Sequence, residues 1–441
     1  MAEKVHLVGI CGSGMRALAM WYWAKGYVVD GCDADLTGGM DELQSAVVTV
    51  HPGHDPSHVE GCQKVVFSAA VPENHPELRR ARDLGLTVLR RSEALAELTD
   101  GTHLLAVAGA HGKTTTTAMT GWILEGNGLD PTVMLGGKVR PWKGNFRSGS
   151  SITVVEADEY DRAFLRLRPS AAAVTTFALD HLECYGTPEA LSMAFGIFLE
   201  MTVPGGTVIV PREHAELAHW AGRIGRRVVT TGPRGDYHCK LLDRDGWGMR
   251  FELDGVRGRI PVPGEHNLVN AETAVALAAA VGISTRDAVG ALESFPGVER
   301  RMERIGDFHG MTIVSDYAHH PDEMKAALDA AAGLAEGPVG IVFQPHLFSR
   351  TAMHGSEMGR VLADADWSLV LPVYPAREKP IPGVTAGLVC DACTKAGGDC
   401  AAVDPGILFE ELSARKAGIV VFMGAGSVDS LAREIAELEK V

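Results

Sequence analysis

A chain of 441 residues is long enough for roughly two to four domains with separate cores. Its 41 basic and 56 acidic residues give a net charge of -15, which argues against a nucleic-acid partner that needs a broad phosphate-neutralising face. No apolar run reaches the roughly 18 residues of a membrane span. The Met-Ala-Glu-Lys start lacks a signal peptide's basic start and long apolar core. The expectation is a cytoplasmic enzyme that does not insert into membranes.

In chain order, Val5–Ile10 reads as a buried strand, followed by Gly9-Ile-Cys-Gly-Ser-Gly-Met-Arg-Ala17 and a helix through about Lys25. A second strand, Tyr27–Cys32, ends near Asp33 and Asp35, and Lys64–Ser68 and Leu86–Leu89 are further strands. Gly12-x-Gly14-x-x-Ala17 after a strand, with Asp33 about 20 residues on, satisfies the dinucleotide fingerprint. The same glycine geometry suits a nucleotide diphosphate sugar, because both ligands carry a pyrophosphate. Two readings stand at this point: an NAD-dependent dehydrogenase and a nucleotide-sugar enzyme. The bland alternative is glycines that serve packing alone.

The pattern breaks around Leu98–Thr102 and restarts with the apolar run Leu104–Val107. Behind it stands Gly109-Ala110-His111-Gly112-Lys113-Thr114-Thr115, a glycine turn opening a helix. Such a turn aims backbone N–H groups and a helix N-terminus at a polyphosphate. Lys113 would reach the β- and γ-phosphates, and the Thr114 hydroxyl would sit on Mg²⁺. The usual G-x-x-x-x-G-K-[ST] spacing is shortened, since Val107 occupies the position of the first glycine. ATP is the expected nucleotide.

Ile152–Glu156 and Ala171–Thr176 read as strands ending in polar residues. Glu156-Ala-Asp158-Glu159-Tyr-Asp161 and Asp180-His181 then fall where ligands gather in open α/β sheets. Hard oxygen donors suit Mg²⁺, and a neutral imidazole can complete a second cation site. Either cluster alone reads as a solvated loop; two clusters downstream of one phosphate loop favour metal. An antiparallel stretch over residues 232–263 leads to a helix near Asn267.

After Phe295-Pro-Gly, strands Thr312–Asp316, Val339–Phe343, Trp367–Val373 and Ile419–Met423 alternate with helices near 321–333, 354–365 and 427–439. This alternation implies parallel sheets covered on both faces. The breaks divide the chain into 1–98, 99–297 and 298–441. The eight cysteines (11, 32, 62, 184, 239, 390, 393 and 400) are scattered. Only Cys390-x-x-Cys393 with Cys400 hints at metal, and three thiols without a fourth ligand make an incomplete zinc set, so reduced thiols on or near a helix are expected.

Several motifs occur in order: the Gly109–Thr117 loop, Glu156-Ala-Asp-Glu-Tyr-Asp-Arg-Ala-Phe-Leu165, Pro263-Gly-Glu-His-Asn-Leu-Val-Asn-Ala271 and Gly297-Val-Glu-Arg-Arg-Met-Glu303. Ser315-Asp-Tyr-Ala-His-His-Pro321, Phe343-Gln-Pro-His-Leu-Phe-Ser-Arg-Thr351 and Gly424-Ala-Gly426 follow. With the N-terminal glycine motif they resemble the Mur ligases of peptidoglycan synthesis over essentially the whole chain. The branch most resembled joins L-alanine to UDP-N-acetylmuramate; a recycling branch attaches a tripeptide to the same sugar nucleotide.

The resemblance implies an α/β fold of three domains: a Rossmann-like UDP-binding domain, a central P-loop ATPase domain and a Rossmann-like C-terminal domain. It implies ATP-dependent amide ligation through an acyl phosphate, with two Mg²⁺ ions (Mn²⁺ being the alternative ion), in a monomer or weak homodimer. Lys113 would meet the phosphates. Thr114 and Glu156 would ligate one metal, and His181 would assist at the other. His266, Asn267 and Asn270 would line the adenine side, while Arg301, Asp316 and Tyr317 would contact ATP. His319, His346 and Arg350 would face the acyl phosphate and the amino acid, whose carboxylate a guanidinium clamps well. Gly9, Gly12, Ser13, Gly14, Met15, Asp33, Ser68, Ala69 and Ala70 would hold the UDP-sugar. The chain departs from the family pattern at Thr176 and Ala178, which replace Asn and Glu, at Leu347, which replaces Arg with Arg377 as a substitute, and at Met302, which replaces Phe.

Overall fold

The computed structural model describes residues 2–36, 40–177, 182–223, 225–376 and 378–439. They separate into two compact units, one of residues 1–240, 251–258 and 269–296, the other of 241–250, 259–268 and 297–441.

The first unit opens with β1 (Lys4–Val8), β2 (Val28–Asp33), β3 (Thr49–Pro52), β4 (Lys64–Phe67) and β5 (Thr87–Arg90). They pair in parallel in the order β3-β2-β1-β4-β5. Strand order reverses at β1, so the loops after β1 and β4 face each other across a switch point, where open α/β sheets take their ligands. Helix Ser13–Ala24 follows β1, and its buried stripe from Met15 to Tyr22 covers the sheet.

The same unit holds β6 (His103–Ala108), β7 (Thr132–Val139), β8 (Gly144–Arg147), β9 (Ile152–Glu156), β10 (Ala171–Val174), β11 (Thr207–Pro211) and β12 (Arg227–Thr231). Their order is β12-β11-β10-β6-β9-β7-β8, with β8 antiparallel at the edge. Leu104–Ala108 of β6 is wholly buried, as a central parallel strand covered on both faces must be. A small sheet contains β13 (Cys239–Asp245), β14 (Gly248–Leu253) and β15 (Val256–Ile260), within the stretch expected to be strand-rich.

The second unit contains β16 (Glu303–Phe308), β17 (Met311–Asp316), β18 (Val339–Phe343), β19 (Trp367–Val370), β20 (Cys400–Ala402) and β21 (Ile419–Met423), ordered β16-β17-β21-β18-β19-β20. Only β16 runs antiparallel to its neighbour. The strand expected at 367–373 stops at Val370, because Pro372 has no N–H to give to a ladder. The strand expected at 171–176 stops at Val174, and Thr175 and Thr176 turn their hydroxyls to a loop instead. The helix expected near 354–365 runs from Phe348 to Leu362. Cys390 and Cys393 lie on helix Ala386–Lys395, and all eight thiols are free, with Cys390 Sγ 3.0 Å from Cys400 Sγ.

Candidate active site

In the first unit, β6 ends at Ala108 and the chain turns through Gly109, Ala110, His111 and Gly112 into helix Lys113–Gly126. Gly109 (φ +131°) and Gly112 (φ +81°) occupy backbone that side chains rarely adopt, and a Cβ on either would collide with Thr175 Oγ1 or Asn270 Oδ1 respectively. The next strand fixes the loop. The Ala110 N–H donates to Thr176 O at 3.0 Å, and the His111 N–H donates to Thr176 Oγ1 at 2.8 Å. The Thr176 hydroxyl thus takes a defined role as a loop support. Ala178, Asp180 and His181 lie outside the described residues.

The helix carries four threonines at its start, a poor choice for helix propensity. Burial explains it: Thr114 to Thr117 are all interior, and the Thr116 hydroxyl donates to Asn270 Oδ1 at 3.3 Å. No acid occupies the first turn, so the helix N-terminus keeps its positive end for an anion.

Lys113 Nζ folds back onto this loop, donating to Gly109 O at 2.6 Å and to Glu159 Oε1 at 2.7 Å. Burial works against its charge, but Glu159, Asp158 and Glu156 outweigh it and hold the ammonium above its ordinary range. Beside it, Glu156 Oε2 accepts from Thr114 Oγ1 at 2.9 Å and from the Gly136 N–H at 2.6 Å. A hydroxyl and a carboxylate in contact at the mouth of a phosphate loop fit a hard divalent cation bridging protein and polyphosphate. Glu159, expected only as one oxygen donor of the acidic run, is the partner of Lys113, and the Gly136 amide was not expected at all. The acidic run flagged the former; the latter sits on β7, one strand in from the sheet edge, in a stretch that no motif marks.

At the switch point of the first sheet, Gly9 (φ +82°) and Ile10 donate their N–H groups to Cys32 O at 2.8 and 3.1 Å. Gly12 precedes the helix beginning at Ser13, and Arg91 lies against the bare face of Gly14. Ser68 follows β4 opposite Gly9, with Ala69 and Ala70 exposed beyond it. Asp33 gives both oxygens to backbone, accepting from the Cys11 N–H at 2.9 Å and the Asp35 N–H at 3.2 Å, so it shapes the loop. Met15 is buried in the core, with its side chain packed close to Gly12 of the loop. The Ser13 hydroxyl donates to Gly136 O at 3.2 Å, so residue 136 links this loop to Glu156 through its own backbone.

The second unit assembles its own polar cluster. His319 and His346 rings lie 6.1 Å apart, Arg350 Nη1 is 3.5 Å from His346 Nδ1, and Tyr374 stacks on His346 at 5.7 Å. Leu347, at φ +68°, makes the sharp entry into helix Phe348–Leu362 that presents Arg350, a strained conformation for a branched residue. Arg377 lies outside the described residues. Asp316 is buried and accepts from the Met302 and Ala318 N–H groups, each at 2.8 Å, which makes it a support for the turn carrying Arg300 and Arg301. Both guanidiniums lie over the Tyr317 ring, at 4.7 and 5.3 Å. Arg300 also donates to Gly424 O at 2.7 Å, pinning the glycine loop after β21. His266 is exposed at the start of helix His266–Ala280, and Asn267 Nδ2 donates to Pro263 O at 2.6 Å.

Burial, with the neighbouring His319 ring and the Arg350 charge, pushes the His346 imidazole down to about 4 from its ordinary 6.5. The unfolded chain therefore binds this proton more readily, so stability from this group is complete above pH 6.5 and is lost as pH falls toward 4. In ¹³C-histidine NMR, the resonance missing from His346→Gln should stay at its neutral position from pH 8 down to about 5. A midpoint near 6.5 would refute this electrostatic setting.

Residues 4–103 match the Mur ligase family, catalytic domain; 107–278 match the Mur ligase middle domain; and 300–426 match the Mur ligase, glutamate ligase domain. A UDP-N-acetylmuramate–L-alanine ligase of Renibacterium salmoninarum is 42% identical over 96% of this chain and 93% of its own length. The like-named protein of Streptomyces coelicolor is 40% identical over 99% and 98%. Among solved structures, UDP-N-acetylmuramate-alanine ligase of Thermotoga maritima superposes with a TM-score of 0.85 at 26% identity over 99% of both chains. A murein peptide ligase of Psychrobacter arcticus gives 0.73 at 25% identity over 98% of both. Three consecutive domain matches, near full-length relatives and a lysine, threonine and glutamate gathered on one phosphate loop agree: the chain belongs to the Mur ligase family.

Proposed function

We infer that this chain ligates L-alanine to the carboxylate of UDP-N-acetylmuramate with conversion of ATP to ADP and phosphate, a step of peptidoglycan precursor synthesis. The contact of Thr114 with Glu156 beside the Lys113 ammonium carries the chemical part of this reading. Full-length relatives named for that reaction support the choice of substrates.

A carboxylate is a poor electrophile and must gain a leaving group before an amine can attack it. Transfer of the γ-phosphoryl group gives an acyl phosphate; the amine then adds to the acyl carbon and phosphate departs. Two anions must meet in the first step, so screening and alignment dominate the barrier. With the Ala110 and His111 amides held by Thr176, the helix N-terminus that follows Gly112 binds phosphate oxygens, and Lys113 neutralises charge on the group in transit. Thr114 and Glu156 would hold Mg²⁺, which when bound screens the phosphate oxygens; a second ion is part of the proposal. Gly9 to Gly14 receive the UDP pyrophosphate, with Ser68 to Ala70 opposite. Neutral His346 and His319 sit beside Arg350, which clamps the carboxylate of L-alanine. Among the described residues no helix is long and apolar enough to cross a membrane.

The deciding assay is phosphate release from Mg-ATP and UDP-N-acetylmuramate with no amine, L-alanine, glycine, L-serine or the tripeptide. Release should depend on L-alanine; preference for the tripeptide would assign the recycling reaction instead. In the same assay Arg350→Ala should raise the KM for L-alanine at least about tenfold, the loss expected for one charge-assisted hydrogen bond. Arg350→Lys should recover only part, because a point charge cannot bind a carboxylate bidentately. Wild-type KM and kcat in the alanine variant would remove Arg350 from the site.

A further inference from the structure

We propose that His6, Cys32, His58 and Glu77 form a structural zinc site beneath the first sheet's glycine loop. One donor atom from each of the four lies within 4.8 Å of the others. The fold explains how they meet. β1 and β2 pair in parallel with His6 opposite Asp30 and Val8 opposite Cys32, so His6, Asp30 and Cys32 share one face of the sheet. The short helix Pro56–Val59 brings His58 to that face, and helix Pro76–Asp83 brings Glu77.

An apolar layer would be expected here, and Val8, Val59, Val65, Phe67 and Leu78 supply one around the cluster. Instead of water, that layer encloses His6, Cys32 and Glu77, each with no exposed surface. Glu77 is an acceptor with several neighbours: Cys32 Sγ at 3.0 Å, His58 Nδ1 at 3.0 Å and the Asp55 N–H at 2.8 Å. A thiol is a weak donor to set against a buried carboxylate. His6 Nε2 makes no hydrogen bond among the described residues, yet it points to within 3.6 Å of Glu77 Oε2. Its other nitrogen, Nδ1, is held by Asp30 Oδ1 at 2.8 Å, and Asp30 is in turn fixed by Lys4 at 2.9 Å. A carboxylate on one ring nitrogen, leaving the other aimed at a set of donors, is how metal-binding histidines are oriented.

The donor set selects the ion. One thiolate, two imidazoles and one carboxylate make a closed, four-coordinate mixed site of the kind zinc occupies structurally, and a thiolate is a poor ligand for Mg²⁺. Binding releases the Cys32 proton to solvent as the sulfur becomes a ligand. Lys4, Asp30, His51 and His58 line a solvent groove of about 750 Å³ that gives the ion a way in. His54 Nδ1, 3.2 Å from Cys32 Sγ, braces the sulfur from the loop side. No member of this set belongs to the Thr114–Glu156 pair.

The test uses the full-length chain, purified without a histidine tag, with bound metal counted by mass spectrometry. Chelator-stripped protein is then titrated with Co²⁺ in excess Mg²⁺. One zinc per chain is expected, and one Co²⁺ should give a near-ultraviolet thiolate charge-transfer band with intense tetrahedral visible bands. Cys32→Ser should lose the charge-transfer band, and His58→Ala, at a partly exposed position, should bind Co²⁺ at least about tenfold more weakly. Metal at the phosphate-loop oxygens alone would give weak bands without charge transfer. That result, or the same spectrum in wild type and Cys32→Ser, would overturn the assignment.

Discussion

Lys113→Ala is expected to lower the L-alanine-dependent rate by on the order of 10³-fold, the loss seen when a preorganised charge contact to a transition state is removed. The variant should keep wild-type circular dichroism, because the loop is held by Thr176 and by backbone bonds that do not involve the lysine. The deleted ammonium leaves Glu159, whose carboxyl burial already pushes up and for which Lys113 is the main opposing charge. Glu159 therefore answers by taking a proton rather than by unfolding the loop. The defect should appear in kcat, since a charge that grows in transit is stabilised more than ground-state phosphate. Near-normal turnover would refute the assignment of this loop.

Glu156→Gln tests the metal half of the same site. Glutamine retains an acceptor for the Thr114 hydroxyl and the Gly136 N–H, so the local geometry should survive while the negative charge disappears. Activity should fall by on the order of 10²-fold, and the Mg²⁺ concentration for half-maximal rate should rise, because one hard anionic ligand is gone. Titrating Mg²⁺ at fixed ATP separates the two effects. An unchanged Mg²⁺ dependence would mean that Glu156 only supports the loop.

The phosphate loop was legible in the sequence because its chemistry is local: strand, glycine turn, lysine and helix lie within a few residues. The pairing of Thr114 with Glu156 came only through the family resemblance; the fold accounts for it, because Glu156 ends β9, the neighbour of β6. Supports contributed by distant backbone were not legible. Gly136 and Thr175 carry no signature, and Asp33 and Asp316, which look like ligands in a linear reading, give their oxygens to backbone amides. Strands β3, β7, β8, β11, β12, β16 and β20 were not expected; β7, β8 and β16 mix apolar residues with glycine and charged ones and show no clean period. The His6–Glu77 cluster has no ligand spacing to recognise; only the parallel register of β1 and β2 reveals it.

The two glycines of the phosphate loop have a consequence for how the protein matures. The contacts that close over them come from residue 175 and residue 270, and the Thr116–Asn270 bond spans 154 positions. The arch cannot hold its shape until chain synthesised far later has docked. Contacts so remote in sequence carry a large loop-closure cost before they give anything back. Nucleotide affinity thus depends on the docked chain around residues 175 and 270, and a nucleotide that binds only the finished loop stabilises the folded unit by mass action.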